Sequence, residues 1–344
     1  MTNSFVRLTI VCAGFVAVSM WLVGQTAFAG TTKVNCNKGE SIQAAVDAGI
    51  SGELNVFEIN GTCTENVTVT NDDTTFTGKN NNSTVDGTIT IFSAQRVTID
   101  DLNVNSVNIF DNAGVNINDA TIDSAGSNGV TALRAASVVM ANTTVVATGN
   151  SVCAVFIGDG SVLRMNGGNE LTSDAPGFIC ATLAVYRNST ARIRGSGNTI
   201  SNEDGVVGGP DSESAGGFAL DVEMVSSLRI DGTGPATING NVESFNLSTV
   251  DLRKVEVNGG IYADGVTANV RLRGNSAGDV VVNGDVFPRG DSAVTIRNAG
   301  EVIINGNIDC FNGANVIDDF AHFGDPPPVG TDGYVNCPPD YGVP

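Results

Sequence analysis

The arginine side chains are the residues of this sequence whose type and spacing point most directly to chemistry. Arg271 and Arg273 stand two residues apart in the stretch "VRLRG", and similar short stretches recur along the chain. A planar guanidinium forms paired hydrogen bonds with carboxylate and sulfate-like groups. The chain carries 37 acidic and 17 basic residues, a net charge of −20. Clustered arginines in so acidic a protein indicate either an anion-binding surface or ion pairs with neighbouring carboxylates.

The arginines belong to short segments in which apolar and polar residues alternate. The first and third residues are apolar and the second and fourth are mostly polar, which is typical of a strand with one buried face. Such segments begin at Val97, Val115, Val138, Leu163, Ala191, Leu228, Val250, Val270 and Val294. The shortest interval runs from Val97 to Val115 and the longest from Ala191 to Leu228. Most intervals are about 20–25 residues, which is about one coil of a parallel β-helix.

A second repeated marker also indicates a solenoid. Asn239, Asn258, Asn283 and Asn305 each precede a glycine and recur at intervals of about one coil. Asn and Gly tolerate positive φ at turns, and stacked Asn side chains can hydrogen-bond from coil to coil. We therefore predict an all-β solenoid of roughly ten to twelve coils. A β-sandwich is the alternative, and it would require antiparallel hairpins in place of one-sided repetition at a long period.

The ends of the chain differ from the repeats and predict four segments. Residues 1–29 carry one charge, an apolar run and the small-x-small stretch "AFA", which indicate an export signal, with an uncleaved membrane anchor as the alternative. Residues 30–54 are predicted to form an N-terminal cap, residues 55–317 the solenoid, and residues 318–344 a proline-rich C-terminal cap or tail.

The N-terminal cap is expected to contain a short helix, because open solenoid ends need covering. In the stretch "ESIQAAVDAG", Ser41 is a suitable N-cap, and Ile42, Ala45 and Val46 form an apolar helical stripe. Gly49 is placed to end the helix.

Six cysteines follow residue 29, and their number in an exported chain implies disulfides. They are Cys36, Cys63, Cys153, Cys180, Cys310 and Cys337. The same interval separates the two members of each successive pair, which favours pairing of each cysteine with its neighbour. The alternatives are a coincidence of spacing or two metal-binding thiols, although the single histidine and the lack of C-x-x-C spacing argue against zinc.

Three features together resemble secreted right-handed parallel β-helix proteins of the pectin-lyase-like superfamily. They are the stretch "GESIQAAV" at residues 39–46, the stretch "NGTCTENVTV" at residues 60–69, and the strand repeats. The resemblance covers most of the chain after residue 29. It implies a single right-handed parallel β-helix with a short N-terminal capping helix. It implies no single activity, because the superfamily holds lyases, hydrolases, esterases, epimerases and adhesins.

Under this resemblance the cysteines would join neighbouring coils, which stack about 4.8 Å apart and within reach of a disulfide. Cys36–Cys63 would tie the capping helix to the first coil, and Cys153–Cys180 would join two middle coils. Cys310–Cys337 would fix the proline-rich tail on the last coil.

The same fold would turn the arginines into a stripe on one face of one sheet. The outward second and fourth positions of the aligned strands hold eight of the thirteen arginines: Arg164, Arg192, Arg194, Arg229, Arg253, Arg271, Arg273 and Arg297. Asp231 and Asp251 interrupt the stripe. Like charges one coil apart repel, so the arginines require acidic neighbours or an anionic ligand such as an extended uronate or sulfated glycan. A slip of one residue in the alignment would turn these side chains inward.

Catalytic residue sets of the superfamily's enzymes are incomplete in this sequence. Polygalacturonase-like hydrolases carry an N-T-D, D-D, G-H-G and R-I-K series, of which only Asp100-Asp101 and an "RIR" stretch are present. We expect a turn role for Asp101. The D-P-H-D segment of epimerase-like members is absent, and the sole histidine, His322, is expected to belong to the C-terminal tail.

A metal site is suggested only by an acidic insertion. The longest interval between strand repeats contains Glu203, Asp204, Asp211 and Glu213, whose oxygens could bind Ca²⁺. A mobile acidic loop is the alternative, because the spacing matches no known calcium loop. No cofactor is required by the sequence.

These observations predict an exported, monomeric binding protein that recognises an anionic polysaccharide along the arginines. The alternatives are a polysaccharide lyase or glycosidase with an atypical site, and an adhesin or structural surface protein that binds a protein partner. The negative net charge argues against nucleic acid as a partner. We expect a secreted or periplasmic location, with no membrane insertion once the signal is removed.

Overall fold

A computed structural model describes residues 30–79, 83–174, 180–203, 217–231, 234–274, 279–297, 302–311, 314–318 and 335–336. These residues form a single parallel β-solenoid of about 11 turns, only 4% helical. Every strand pairing among them is parallel and joins one coil to the next, which confirms the solenoid and excludes the β-sandwich. Each regular coil contributes one strand to each of three faces.

The first face is one continuous sheet, here called the first sheet. Its strands, in spatial order, are β1 (Gly30–Asn35), β2 (Asn55–Asn60), β5 (Thr74–Gly78), β7 (Val97–Asp100), β9 (Gly114–Asn118), β12 (Ser137–Ala141), β15 (Val162–Asn166), β18 (Thr190–Arg194), β21 (Ser227–Ile230), β24 (Thr249–Leu252), β27 (Asn269–Arg273), β30 (Ala293–Arg297) and β33 (Asn315–Asp318).

The other two faces are called the second and third rows. The second row contains β3 (Thr62–Cys63), the first part of β6 (Thr84–Phe92) and of β8 (Asn103–Phe110), then β10 (Thr121–Ala125), β13 (Thr144–Thr148), β16 (Glu170–Ser173), β19 (Thr199–Asn202), β22 (Ala236–Asn239), β25 (Val255–Val257), β28 (Val280–Val282) and β31 (Val302–Ile304). The third row contains β4 (Val67–Val69), the remainder of β6 and β8, then β11 (Val130–Leu133), β14 (Val155–Ile157), β17 (Leu183–Val185), β20 (Phe218–Glu223), β23 (Asn241–Phe245), β26 (Ile261–Asp264), β29 (Val286–Pro288), β32 (Ile308–Asp309) and β34 (Val335–Asn336).

The register of the first sheet confirms the alignment of the sequence repeats. Val97 pairs with Val115, Val115 with Val138, and the series continues through every repeat to Val294. Because side chains alternate across a strand, the first and third residues of each repeat enter the interior. They join one continuous core of stacked Val, Ile, Leu, Met and Ala side chains.

The coil corner that follows the first sheet turns through a residue with positive φ. Asp101, Asp119, Asn142 and Lys254 each adopt φ of 49° at this corner. Asp and Asn are among the residues that adopt this region most readily. The turn role predicted for Asp101 is therefore confirmed.

The repeated Asn-Gly pairs form a hydrogen-bonded ladder along the second row. The amide of Asn258 donates to Asn239 Oδ1 (2.9 Å), that of Asn283 to Asn258 (2.7 Å), and that of Asn305 to Asn283 (2.7 Å). The predicted coil-to-coil bonding is confirmed. The expected positive φ is found only at Gly240 (137°) among these eight residues.

The glycine of the later Asn-Gly pairs is needed instead because backbones of neighbouring coils approach closely. A Cβ on Gly259 would lie 2.3 Å from the carbonyl oxygen of Gly240, and one on Gly306 would lie 2.4 Å from that of Gly284.

The N-terminal end is covered by the predicted helix, α1 (Ile42–Ala48), after a 3₁₀ turn at Cys36–Lys38. Ser41 Oγ accepts a hydrogen bond from Ala44 N (3.1 Å), and Ile42 and Val46 are buried, as the sequence predicts. Gly49 ends the helix in an extended conformation (φ −63°), so it does not use the left-handed conformation of a typical glycine cap.

Two cysteine pairs are within disulfide distance and link successive coils. Cys36 and Cys63 have a Cα–Cα distance of 5.0 Å, and Cys153 and Cys180 one of 5.3 Å. Both pairings match the prediction and fit an oxidising location. Cys337 lies outside the described residues, so the third predicted pairing stays a prediction.

Within the described part of the chain, no helix has the length and apolar character needed to cross a membrane. The export signal predicted for residues 1–29 lies outside that part.

Candidate functional site

The first sheet places all eight predicted arginines on its outer face in two neighbouring columns. Partners in parallel register define the first column, and the residues two positions later along the chain form the second. The first column contains Arg164, Arg192, Arg229, Asp251 and Arg271. The second contains Arg194, Asp231, Arg253, Arg273 and Arg297. We call these ten side chains the arginine stripe. Their arrangement depends on the alternation of the repeats, because the residues between them point into the core.

Asp231 is the acidic side chain that pairs with the arginines of β18 and β21. Its side chain is 10% exposed and forms ion pairs with Arg192, with Arg229 (3.0 Å) and with Arg194 (3.7 Å). Burial raises the pKa of Asp231, but the hydrogen bond from Arg192 and the charges of Arg229, Arg192 and Arg194 outweigh that effect. The pKa of Asp231 therefore lies below its ordinary value.

Asp251 has the same role on the following coil. It accepts a hydrogen bond from Arg253 Nη2 at 3.0 Å and lies 3.2 Å from Arg273 Nε. The contacts of Arg229 Nε and Arg273 Nε are within ion-pair distance, but both nitrogens are buried without a hydrogen bond. The carboxylates of Asp231 and Asp251 therefore form ion pairs with five arginines. Some N–H donors of these arginines remain without a hydrogen bond.

Two arginines of the stripe have no partner in the part of the chain that the structure describes. Arg164, on β15, is exposed, and Arg271, on β27, is half-buried, yet neither forms an ion pair or a side-chain hydrogen bond there. Arg297 makes a further interaction and is not free. Arg164 and Arg271 are therefore the two stripe cations most available to an incoming anion.

Charge is unbalanced along the arginine stripe. The stripe holds eight arginines and two aspartates, on a chain whose net charge is −20, so cations outnumber anions among its own ten side chains. The repulsion is visible at Arg273, where burial lowers the pKa and the charges of Arg253, Arg271 and Arg297 lower it further, against the opposing effect of Asp251. An anion bound to the stripe would relieve this repulsion.

The stripe has the geometry of a linear array. Six successive strands, β15 to β30, carry it, and five steps of about 4.8 Å span about 24 Å. Guanidinium groups that recur at this spacing can form bidentate contacts with several carboxylate or sulfate groups of one extended molecule.

The predicted calcium ligands are not tested by the described residues. Glu203 follows β19 and is exposed, whereas Asp204, Asp211 and Glu213 lie outside the described residues. No group of three His, Cys, Asp or Glu side chains placed to hold a metal ion occurs among the residues the structure describes. His322 also lies outside them.

A second candidate site, which the sequence analysis missed, lies on the third row. A pocket of about 230 Å³ is lined by Cys180, Ala181, Phe218, Asp221, Glu223, Glu243 and Phe245. Asp221 on β20 pairs in register with Glu243 on β23, so two carboxyl groups stand on neighbouring coils of the same face. We call this cavity the acidic pocket.

The carboxyl groups of the acidic pocket have unusual pKa values. Burial, followed by the charges of Glu243 and Glu223, raises the pKa of Asp221 well above its ordinary value. Burial, followed by the charges of Glu223 and Asp264, raises the pKa of Glu243 to about 7. Burial also raises the pKa of Glu223. Perturbed groups of this kind concentrate at functional sites.

The sequence contained one signal for this pocket. Asp221 and Glu243 are separated by the length of one coil, and each stands among apolar residues, in "FALDVE" and "NVESF". A strand pattern alone places both side chains outward, whereas the structure shows that they share a pocket with Cys180, Phe218 and Phe245.

Comparisons with protein-family models, with curated proteins and with solved structures find no match to this chain. The parallel solenoid is therefore established by the coordinates, and the resemblance to the pectin-lyase-like superfamily stays a prediction.

Proposed function

We propose that this protein binds an extended anionic polysaccharide along the arginine stripe, outside the cytoplasm. The observation that supports the proposal is the stacking of eight arginines, with two aspartates between them, in two columns on one face of a strongly acidic chain. Ion pairing with Asp231 and Asp251 accounts for five arginines, as the charge-paired alternative predicts, and leaves Arg164 and Arg271 unpaired in the described part of the chain.

The two disulfides favour an oxidising compartment such as the extracellular space or the periplasm. A polymer rather than a small anion is favoured because the charges repeat over about 24 Å of sheet. Uronate and sulfated glycans both present anionic groups at regular intervals, and bidentate contacts suit either.

The direct test is a double charge reversal, Arg164→Glu with Arg271→Glu. Neither residue holds an ion pair in the described part of the chain, so the variant is expected to remain folded. Binding of polygalacturonate or dextran sulfate should weaken by about tenfold or more, equivalent to at least about 1.4 kcal/mol, and should weaken in the parent protein as salt rises.

The matched control is Arg134→Glu with Arg187→Glu, which changes the net charge equally. Arg134 and Arg187 are exposed and pair with Asp111 and Asp159 at the corners that precede the first sheet, outside the two columns of the stripe. This control should bind as the parent does, and neutral dextran should bind to none of the three proteins. Equal binding by the stripe variant and the parent would refute the proposal.

Product analysis with the same polymers distinguishes the enzyme alternative from a binding protein. Incubation of polygalacturonate with the parent protein, with and without Ca²⁺, should release neither unsaturated ends, detected by ultraviolet absorbance, nor reducing ends. Release of either product would assign a lyase or a glycosidase in place of a binding protein.

A further inference from the structure

The acidic pocket lies on the third row, away from the arginine stripe, and contains a buried carboxylate with an unused oxygen. Asp221 is only 6% exposed. One of its oxygens, Oδ2, accepts a hydrogen bond from the hydroxyl of Tyr186. The other, Oδ1, is buried and has no hydrogen-bond partner. A buried carboxyl oxygen without a hydrogen-bond partner is energetically unfavourable, so this atom marks a position where a polar partner is needed.

The surroundings fix Asp221 in place. The ring of Tyr186 packs edge-on against Phe156 at 5.4 Å, and both rings pack against the buried cluster of Cys153, Cys180 and Ala184. The Tyr186 hydroxyl is thereby held against Asp221. The carboxylate is set in a rigid wall of the pocket, with Glu223 and Glu243 as further lining residues.

The pocket combines negative charge with aromatic rings. Phe218 and Phe245 line it beside the three carboxyl groups, and Phe218 contacts Tyr262 edge-on at 5.9 Å. Burial and mutual repulsion oppose ionisation of Asp221, Glu223 and Glu243, and a positive charge in the pocket would favour it. An aromatic ring also attracts a cation or packs against an apolar stem.

We propose that the acidic pocket binds an organic ammonium ion carried on an apolar stem. The ammonium group supplies the N–H donor that Asp221 Oδ1 lacks and the positive charge that the three carboxyl groups require. The stem lies against Phe218 and Phe245. A neutral polyol would supply donors but leave the repulsion among the carboxyl groups in place, so it fits the pocket less well.

The binding is expected to depend on pH, since the carboxyl groups must be ionised to hold the cation. Glu243 titrates about pH 7. The charged and titratable groups that interact with Glu243 are Asp221 and Glu223 of β20, Tyr186 after β17, Tyr262 and Asp264 of β26, and Arg289 after β29. Asp285, before β29, acts on Tyr262. Arg289 lowers the pKa of Glu243, but it lies over Phe311 and does not line the pocket.

The test is calorimetric titration of the full chain with n-butylammonium. At pH 8 the affinity should be about tenfold or more above that at pH 5.5, because protonation of Glu243 opposes binding at the lower pH. At pH 7 the measured enthalpy should differ between buffers of different ionisation enthalpy, because binding of the cation releases protons. n-Butanol, which matches the shape without the charge, should not bind detectably.

Two isosteric variants locate the site, with one matched control. Asp221→Asn and Glu243→Gln should each weaken n-butylammonium binding about tenfold and reduce the proton release. Glu170→Gln, an exposed carboxylate of β16 on the second row, should bind as the parent does.

Three results would overturn the proposal. They are an absence of n-butylammonium binding at pH 8, equal binding by the two isosteric variants and the parent, or equal binding of n-butanol or glucose without proton release. Competition by Ca²⁺ at concentrations below those of the amine would assign a metal site instead. None of these results affects the arginine stripe, which is on another face.

Discussion

At the scale of single residues, the most informative feature is that buried charges are arranged differently on two faces. On the first sheet, Asp231 is nearly buried and holds three arginines, so its pKa lies below the ordinary value. On the third row, Glu243 is beside other carboxyl groups, and burial raises its pKa to about 7. The first arrangement stabilises the folded chain at neutral pH, and the second destabilises it.

The stability effect of Glu243 can be measured directly. A folded-state pKa of about 7 against an ordinary 4.5 means that the native state holds a proton that the unfolded state releases. Stability is therefore lost as pH rises from about 4.5 through 7. Glu243→Gln should unfold at higher urea than the parent at pH 8, by roughly 1–3 kcal/mol, with little difference at pH 4.5. An equal difference at both pH values would contradict this account.

At the scale of elements, the N-terminal helix depends on a residue from the first coil. Glu65 accepts hydrogen bonds from Ser41 Oγ (2.7 Å), Ile42 N (2.6 Å) and Gln43 N (3.2 Å). A carboxylate at a helix N-terminus also interacts favourably with the helix dipole. The cap is thus attached to the solenoid by a charged contact as well as by the Cys36–Cys63 pair.

Removal of this carboxylate should loosen the cap first. Glu65→Gln is expected to lower the free energy of unfolding by about 1–2 kcal/mol. Hydrogen exchange should show lost protection in residues 36–60 before the rest of the chain. The control Glu170→Gln should leave both quantities unchanged. Uniform loss of protection along the chain would show that Glu65 has no special connection with the cap.

Replacement of Asp231 in the arginine stripe should change stability and polymer affinity in opposite directions. Asp231→Asn removes the partner of three arginines, so stability at pH 7 should fall by about 2 kcal/mol. The same change removes a negative charge from the proposed anion-binding surface, so the affinity for polygalacturonate should rise severalfold. Calorimetry with the polymer and urea unfolding of the same sample measure both. Weaker polymer binding by a folded Asp231→Asn protein would argue against the stripe as the binding surface.

Most strands of the first sheet were predictable from sequence because each coil repeats the alternation of buried apolar and exposed polar residues. The alternation at Val97 and at later repeats specifies one buried face, and the register agrees at every repeat. The Asn239–Asn305 ladder was predictable for the same reason. The sequence alone suggests positive φ for the stacked glycines. The close approach of neighbouring backbones, which the structure shows, cannot be seen in a sequence.

The candidate sites were predictable to different degrees. Columns of arginine follow from strand alternation alone, whereas the pairing of Arg192, Arg194 and Arg229 with a single aspartate depends on side-chain geometry. The one-coil interval between Asp221 and Glu243 does not by itself predict the acidic pocket, since the walls come from β20, β23 and the segment of Cys180 and Ala181 before β17. Burial of Asp221 is a property of that assembly, and no local pattern encodes it.

At the scale of the whole molecule, the solenoid turns an interval in the sequence into a distance in space. Each coil adds one rung to all three faces, so different faces can carry different chemistry on one rigid core. The arginine stripe is positive and open, whereas the acidic pocket on the third row is negative and partly enclosed. On a molecule with an overall charge of −20, the proposed binding of an anionic polymer would therefore be confined to the stripe.

The most direct test of this account is the dependence of affinity on ligand length. Purified oligogalacturonates of increasing length, titrated into the parent protein at fixed salt, should bind more tightly with each added residue until the ligand spans about 24 Å. Beyond that length the affinity should level off, and the salt dependence should level off with it. An affinity that is independent of length, or a disaccharide that binds as tightly as the longest ligand, would contradict the claim that the stacked arginines act as one linear site.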